Sequence, residues 1–207
     1  MTTDGIIFDL DGTLWDATRP FYDSWKEYLT GQGIPFYHTR EQVTACMGLP
    51  MDAFFARLYP DMPQKQQNIY REAVLEYENQ YIEKTGGILY PQLKETLAKL
   101  KEKAPLMIVS NCQKGYIEAF FKAHDTQQYF TDWESFGATG LLKADNIALV
   151  VQRNHLQAPV YVGDVQGDAD ASHKAGVPIV WAAYGFGQIK DAEEKIDTFA
   201  ELLKIFD

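Results

Sequence analysis

Residues 5–13 read GIIFDLDGT, a short apolar run that leads directly into two aspartates and a glycine. An apolar run without alternating polar residues is typical of a strand that is buried on both faces of a parallel sheet. Ligands of such sheets bind beyond the carboxyl ends of the strands. Asp9, Asp11 and Thr13 therefore lie where a binding site is expected.

The part of the chain after Tyr90 alternates helical and strand patterns. The predicted strands are residues 106–109, 160–162 and 177–182. The predicted helices are 91–103, 114–123, 145–154 with Asp145 as a candidate N-cap, 167–175, and a last helix that Thr198 and Glu201 open. This alternation predicts an α/β fold, a Rossmann-like parallel sheet with helices on both faces.

Residues 19–84 show no strong strand signal. Their aromatic and aliphatic residues recur at helical spacing, which indicates three or four helices. Gly31 is placed to end the first of these helices, and Thr39 with Gln42 is placed to form a capping box for the next.

The helical stretch interrupts the alternating pattern, so we expect two domains. The predicted catalytic core comprises residues 1–15 and 86–207, and a helical cap of residues 16–85 is inserted after the first strand. Gly86 and Gly87 could act as the return hinge.

The composition limits the classes of partner. The chain has 207 residues and a formal net charge of −10, which disfavours a nucleic-acid partner because a phosphate backbone would be repelled. No apolar run approaches the roughly 20 residues of a membrane-spanning helix, and no signal peptide is recognisable. Cys46 and Cys112 form no CxxC pair, which predicts a cytoplasmic protein with reduced thiols. We expect a monomer or a weak homodimer.

Further polar residues follow the later predicted strands. Ser110 and Asn111 end the second strand, Asp164 ends a later one with Asp168 four residues on, and Lys143 lies just before a helix. Taken singly, each is more often a solvated residue, a turn or a helix cap. Together, in order and at strand ends, they predict one site in which acids, a hydroxyl and a lysine meet.

The chemistry of this set points to phosphoryl transfer. Crowded carboxylates repel one another, and Mg²⁺, which prefers oxygen ligands, would relieve the repulsion at Asp9 and Asp164. A phosphate on that metal could be attacked by Asp9, which would give an aspartyl-phosphate. Lys143 and Ser110 would hold the phosphate oxygens, and Asp11 could act as general acid and base. The helix N-terminus expected after Asn111 would add backbone N–H donors for the phosphate.

Four segments resemble, in order and spacing, the motifs of the haloacid dehalogenase-like hydrolases, in particular their phosphoglycolate phosphatase and β-phosphoglucomutase branch. They are FDLDGTLWD at 8–16, IVSNCQKGYIE at 108–118, LLK at 141–143 and YVGDVQGDADASHKAG at 161–176. The resemblance implies that the first strand is central in the sheet, that the helical insertion is a mobile cap over the site, and that the cofactor is Mg²⁺.

The resemblance also implies residue roles. Asp9 would be the nucleophile, and Asp11 the general acid and base whose backbone carbonyl also binds Mg²⁺. Asp164 would bind Mg²⁺, with Asp168 supporting the metal ligands. Ser110 and Lys143 would bind phosphate, and we add Asn111 and Thr13 to that set. The expected function is Mg²⁺-dependent hydrolysis of a small phosphorylated metabolite such as phosphoglycolate or a sugar phosphate.

Several alternatives stay open on the sequence alone. A phosphomutase of the β-phosphoglucomutase type would keep every residue of this set, and a catalytically silent phosphate-binding regulatory module would keep the fold. A dehalogenase is disfavoured because it needs neither Asp11 nor Asp164. We expect Cys112 to be a buried structural thiol and Arg40 to be solvated, and residues 184–187 to form a loop near the site without an assigned role.

Overall fold

The computed structural model describes residues 2–46, 49 and 51–206. Its strands are β1 (Gly5–Phe8), β2 (Trp15–Asp16), β3 (Ile88–Leu89), β4 (Leu106–Ser110), β5 (Asp132–Ser135), β6 (Pro159–Gly163), β7 (Ile179–Ala182) and β8 (Glu194–Ile196). Among these residues, six strands form one parallel sheet in the order β5-β4-β1-β6-β7-β8, and β2 pairs with β3 in an antiparallel ribbon. The expected central position of β1 is confirmed.

Helices connect the strands and cover the sheet. They are α1 (Thr18–Gly31), α2 (Arg40–Thr44), α3 (Met51–Leu58), α4 (Gln64–Thr85), α5 (Leu93–Leu100), α6 (Tyr116–His124), α7 (Phe136–Thr139), α8 (Lys143–Arg153), α9 (Gln166–Lys174) and α10 (Leu202–Ile205). Short 3₁₀ helices span Gln127–Tyr129 and Phe199–Glu201. Within the described ranges, none of the helices combines the length and apolar composition needed to cross a membrane.

The alternation of side chains along β1 shows how both faces of the sheet are buried. Ile6 and Phe8 belong to one hydrophobic cluster, and Ile7 belongs to another. Because successive strand residues point to opposite faces, each face of β1 contributes to a separate core. The predicted α/β fold with a doubly covered parallel sheet is confirmed.

Helices α1–α4 pack around a hydrophobic cluster of their own. Its buried members include Phe21, Trp25, Phe54 and Val74. The predicted ends of α1 at Gly31 and the capping box of Thr39 and Gln42 are present. These helices lie between β2 and β3 in the chain, as expected of an inserted cap, while the exact domain boundaries stay a prediction.

Three features differ from expectation. Strands β5 and β8 and the β2–β3 ribbon were not predicted. Asp145 is not an N-cap, because α8 begins at Lys143 with Leu142 as its N-cap, and Asp145 lies in the first turn. Helix α6 begins only at Tyr116, because Gly115 has a left-handed φ of 90°. Asn111 is therefore followed by a loop and not by a helix N-terminus.

Candidate active site

Strand β1 delivers Asp9 to the carboxyl edge of the sheet. The Asp9 N–H donates to the Val162 carbonyl of β6 at 2.9 Å, which continues the strand pairing one residue past β1. The chain then turns at Gly12, whose φ is +84°. A Cβ at Gly12 would overlap the Asp164 carboxylate, so the turn requires glycine both for its backbone angle and for this close approach.

Lys143 links Asp9, which follows β1, to Asp168 in the first turn of α9. Its Nζ lies 2.8 Å from Oδ1 of Asp9 and 2.6 Å from Oδ1 of Asp168. All three side chains are buried. Burial opposes the charged form of Lys143, but the carboxylates of Asp168 and Asp9 outweigh it and raise its pKa well above the usual range. The lysine is therefore a fixed positive charge beside Asp9.

Asp168 orients the loop that carries Asp164. Its Oδ2 accepts hydrogen bonds from the backbone N–H groups of Asp164 at 3.0 Å and Val165 at 3.1 Å. These bonds cap the start of α9 and fix the loop after β6. Asp168 thus holds the backbone at Asp164 in place, while its expected role in support of metal ligands stays a prediction.

The loop of residues 184–187 completes the surroundings of Asp164. The Phe186 N–H donates to Oδ2 of Asp164 at 2.7 Å. The other oxygen, Oδ1, is buried and has no hydrogen-bond partner. Because an unpaired buried carboxylate oxygen is unfavourable, Oδ1 of Asp164 is suited to bind a cation.

The acids fit a hard divalent metal ion. Asp9, Asp164 and Asp168 each offer an oxygen, and these oxygens lie within 4.8 Å of one another. Oxygen-only ligands suit Mg²⁺. Asp168 is already engaged by Lys143 and by two backbone N–H groups, so Asp9 and Asp164 are the side chains available to hold the ion.

Burial and mutual repulsion perturb the acids strongly. Burial raises the pKa of Asp9 to about 6, although Lys143 opposes the shift. Burial, reinforced by the charge of Asp9, raises the pKa of Asp11 to about 7. Burial and the charges of Asp168 and Asp9 also raise the pKa of Asp164 well above its usual range. A bound cation would favour the ionised form of these carboxylates and would therefore oppose these shifts.

A cleft of about 510 Å³, including its open mouth, lies over these residues. Six of the site residues predicted from the sequence line this cleft: Asp9, Asp11, Ser110, Asn111, Lys143 and Asp164. Thr13 is buried, does not line the cleft, and its hydroxyl has no hydrogen-bond partner. The structure thus brings together all the predicted phosphate-binding side chains except that of Thr13.

The cleft contains residues that the sequence did not single out. Tyr116 donates to Oδ1 of Asp11 at 3.1 Å, and Glu78 reaches the cleft from helix α4. Cys112, which the sequence predicts to be a buried structural thiol, also lines the cleft, and burial raises the pKa of this thiol well above the usual range, which disfavours the thiolate nucleophile. Tyr116 could have been noticed from its place within the segment IVSNCQKGYIE.

Comparison with known proteins agrees with this site. The family model described as haloacid dehalogenase-like hydrolase matches residues 6–182. The chain belongs to the haloacid dehalogenase-like hydrolases. The predicted resemblance is confirmed for the family and its phosphoglycolate phosphatase-like branch, and so is the prediction of a phosphatase-type hydrolase.

Two curated relatives illustrate the branch within this hydrolase family. Phosphoglycolate phosphatase of Photobacterium profundum is 28% identical over 218 residues, which cover 97% of this chain and 94% of that protein. The probable phosphatase IndB of Dickeya dadantii is 26% identical, with coverage of 96% and 91%.

Solved structures show the same fold in this hydrolase family. A predicted phosphoglycolate phosphatase from Haemophilus somnus superposes with a TM-score of 0.85 at 23% identity, covering 98% of this chain and 97% of that one. CbbY from Rhodobacter sphaeroides, in complex with xylulose-(1,5)bisphosphate, gives a TM-score of 0.84 at 18% identity, with coverage of 97% and 96%.

Proposed function

We propose that this hydrolase removes the phosphoryl group from small phosphate monoesters in a Mg²⁺-dependent reaction with Asp9 as the nucleophile. The observation that carries the proposal is the buried contact of Asp9 with Lys143 at 2.8 Å, next to an unpaired oxygen of Asp164. It supports a nucleophile fixed beside a phosphate-binding cation and a metal position.

Asp9 and Asp11 have separate roles in the first step. An Asp9 carboxylate oxygen forms a bond to phosphorus while the ester P–O bond breaks, which gives an aspartyl-phosphate and an alkoxide leaving group. Asp11 gives its proton to that alkoxide. A pKa of about 7 for Asp11 suits proton transfer near neutral pH.

The second step regenerates both acids. Asp11, now ionised, takes a proton from a water molecule as its oxygen attacks phosphorus. The bond between phosphorus and Asp9 breaks, inorganic phosphate leaves, and Asp9 is again a carboxylate. Asp11 is again protonated, so protons balance over the cycle.

Other residues of the cleft bind the phosphate and the metal ion. Lys143 and Ser110 contact its non-bridging oxygens, with Asn111 on the same loop. Asp9, Asp164 and the Asp11 carbonyl would hold Mg²⁺, which supplies positive charge that offsets the negative charge on the phosphate during transfer.

The first test uses a generic aryl phosphate. We expect the purified protein to release phosphate with Mg²⁺ and to stop when EDTA is added. Asp9→Asn is nearly isosteric and should reduce turnover by at least about a thousandfold, since it removes the nucleophile. Release of free phosphate also separates hydrolysis from the phosphomutase alternative, which would isomerise a sugar phosphate without net release.

A matched control keeps this test specific. Asp145 is exposed on α8, away from the cleft residues, so Asp145→Asn should retain wild-type turnover. Circular dichroism should show the same fold in both variants. Undiminished turnover by Asp9→Asn would refute the nucleophile assignment, and the absence of any Mg²⁺-stimulated turnover in the wild type would refute the proposed function.

A further inference from the structure

Glu78 brings a buried carboxyl group from the cap into the cleft. It lies on α4, is fully buried, and lines the same cleft as Asp9 and Lys143. The Trp25 indole N–H donates to its Oε2 at 2.6 Å. Its Oε1 is buried and has no hydrogen-bond partner.

The free Oε1 requires an explanation. A buried polar atom left unpaired destabilises the folded protein, and native proteins leave few such atoms. The neighbouring amide of Gln113 donates through Nε2 to Oδ1 of Asn79 at 3.0 Å. Oε1 of Glu78 is therefore available to a ligand in the cleft.

The charged side chains that line the cleft determine which charge a ligand can bring into it. Among the lining residues that the structure describes, Asp9, Asp11, Glu78 and Asp164 are acidic and Lys143 is the basic one. Lys143 is already paired with two carboxylates. A carboxylate on the organic part of a substrate would thus meet Glu78 without a basic side chain in the cleft to balance it.

Arg40 is the basic side chain to consider as a partner for a substrate carboxylate. It lines a separate surface depression, which also contains Asp16 and Glu41 and which, among the residues the structure describes, shares only Phe186 with the cleft. Two acids thus accompany Arg40 there. The residues between Cys46 and Met51 that lie outside the described ranges are Met47, Gly48 and Pro50, none of which is basic.

We propose that Glu78 is a specificity-determining residue that favours phosphate esters with a hydrogen-bond donor, a hydroxyl or an ammonium, on the alcohol part, and disfavours those with a carboxylate. The proposal rests on the proposed phosphatase function and names its substrate class. Phosphoglycolate, the substrate in the names of several relatives, would then be a poor substrate of this chain.

The environment of Glu78 agrees with this role. Burial raises its pKa to about 8, although the Trp25 indole and the Gln113 amide favour the ionised form. A protonated Glu78 can accept from and donate to a hydroxyl, and an ammonium would stabilise the ionised form. A carboxylate on the ligand brings no donor to Oε1 and adds negative charge to a cleft that already has four acidic side chains.

The test compares esters that differ only at the end of a short chain. We would measure kcat/KM of the Mg²⁺-loaded protein for ethyl, hydroxyethyl and aminoethyl phosphate and for phosphoglycolate. In the wild type we expect the donor-bearing esters to exceed ethyl phosphate by about tenfold or more, the effect of one good hydrogen bond. Phosphoglycolate should be the poorest of the four.

Two variants separate recognition from packing. Glu78→Gln keeps an acceptor for Trp25 but removes the charge that Glu78 carries above its pKa of about 8. At pH 9, phosphoglycolate relative to ethyl phosphate should therefore improve by about tenfold, and aminoethyl phosphate should lose its advantage. Glu78→Leu should abolish the preference for hydroxyethyl phosphate. A purely structural link to Trp25 would lower turnover of all the esters by the same factor and leave these ratios unchanged.

Gln67→Leu provides the matched control. Gln67 is also buried on α4, donates to the carbonyls of Tyr59 and Met62, and does not line the cleft. Its loss should lower cap stability without changing the ratios between esters.

The two proposals fail in different ways. A wild type that prefers phosphoglycolate, or Glu78 variants with unchanged ratios, would overturn the specificity role alone. A protein that hydrolyses none of the esters would overturn the proposed function together with this inference.

Discussion

The Tyr116 hydroxyl donates a hydrogen bond of 3.1 Å to Oδ1 of Asp11. This bond links the start of α6 to the turn after β1, and both side chains lie at the cleft. Burial raises the pKa of Asp11 to about 7, and the hydrogen bond from Tyr116 opposes that shift because it favours the carboxylate. Tyr116 therefore adjusts the proton affinity of the proposed acid and base.

Removal of this donor should shift the pH dependence of turnover. In Tyr116→Phe the pKa of Asp11 should rise further, so the pH–rate profile should move to higher pH. We expect kcat near neutral pH to fall by roughly three- to tenfold, the equivalent of one hydrogen bond. The measurement is kcat against pH at saturating Mg²⁺. A variant whose profile keeps its position on the pH axis would show that Tyr116 does not act through Asp11.

Asp164 offers a test of the metal site that does not depend on turnover. Mg²⁺ should raise the Tm of the wild type by binding between carboxylates that repel one another. Asp164→Ala should bind Mg²⁺ at least about tenfold more weakly and should lose most of this thermal shift. Asp170 is exposed on α9 and provides the control, since Asp170→Ala should behave as the wild type. Equal Mg²⁺ titrations of all three proteins would exclude Asp164 as a ligand.

The main part of the site was predictable because parallel strands direct their carboxyl ends to one edge. The apolar run before Asp9 marked β1, and similar runs preceded Ser110 and Asp164. Once these runs are strands of one sheet, their following residues must converge. Lys143 was identified by its place in the order of motifs, and in the structure its Nζ lies 2.8 Å from Oδ1 of Asp9.

Other features depend on contacts that a linear pattern does not encode. Strand β5 is an edge strand whose sequence DWES lacks an apolar run, and it is held partly by Arg153, which pairs with Asp132 at 2.6 Å and Glu134 at 2.7 Å. In the sequence, Glu78 cannot be distinguished from the other polar residues of α4. Its place in the cleft follows from how α4 packs in the folded chain. The loop at Phe186 contacts Asp164 through a backbone N–H. Every non-proline residue possesses this group, so the side-chain sequence gives no signal for the contact.

Gly185 is predicted to control the placement of Asp164. A Cβ at this position would overlap the Asp164 Cβ and the Gly12 carbonyl oxygen. Because the Gly12 contact is to backbone, the loop would have to move, and Phe186 would no longer donate to Asp164 in the same geometry. Gly185→Ala should therefore destabilise the protein by about 1–3 kcal/mol and reduce kcat/KM by at least about tenfold.

Gly167 gives this prediction a matched control. A Cβ there meets no atom within 4 Å, and the residue lies in α9. Gly167→Ala should raise the free energy of unfolding by about 0.5–1 kcal/mol, since alanine favours the helix, with little effect on turnover. Urea denaturation and kcat/KM of the two variants test the pair. Equal effects of both substitutions would contradict the proposed constraint at Gly185.

Glu78 should make the stability of the folded chain depend on pH. Burial raises its pKa from 4.5 to about 8, so between these values the folded state keeps a proton that the unfolded state has lost. The stabilising contribution is then complete below the unfolded pKa and is lost as the pH rises through the folded pKa. Glu78→Gln cannot titrate, so its free energy of unfolding relative to wild type should improve by a few kcal/mol between about pH 5 and about pH 8. Urea denaturation in EDTA at both pH values measures this difference, and a constant difference would show that the buried carboxyl titrates normally.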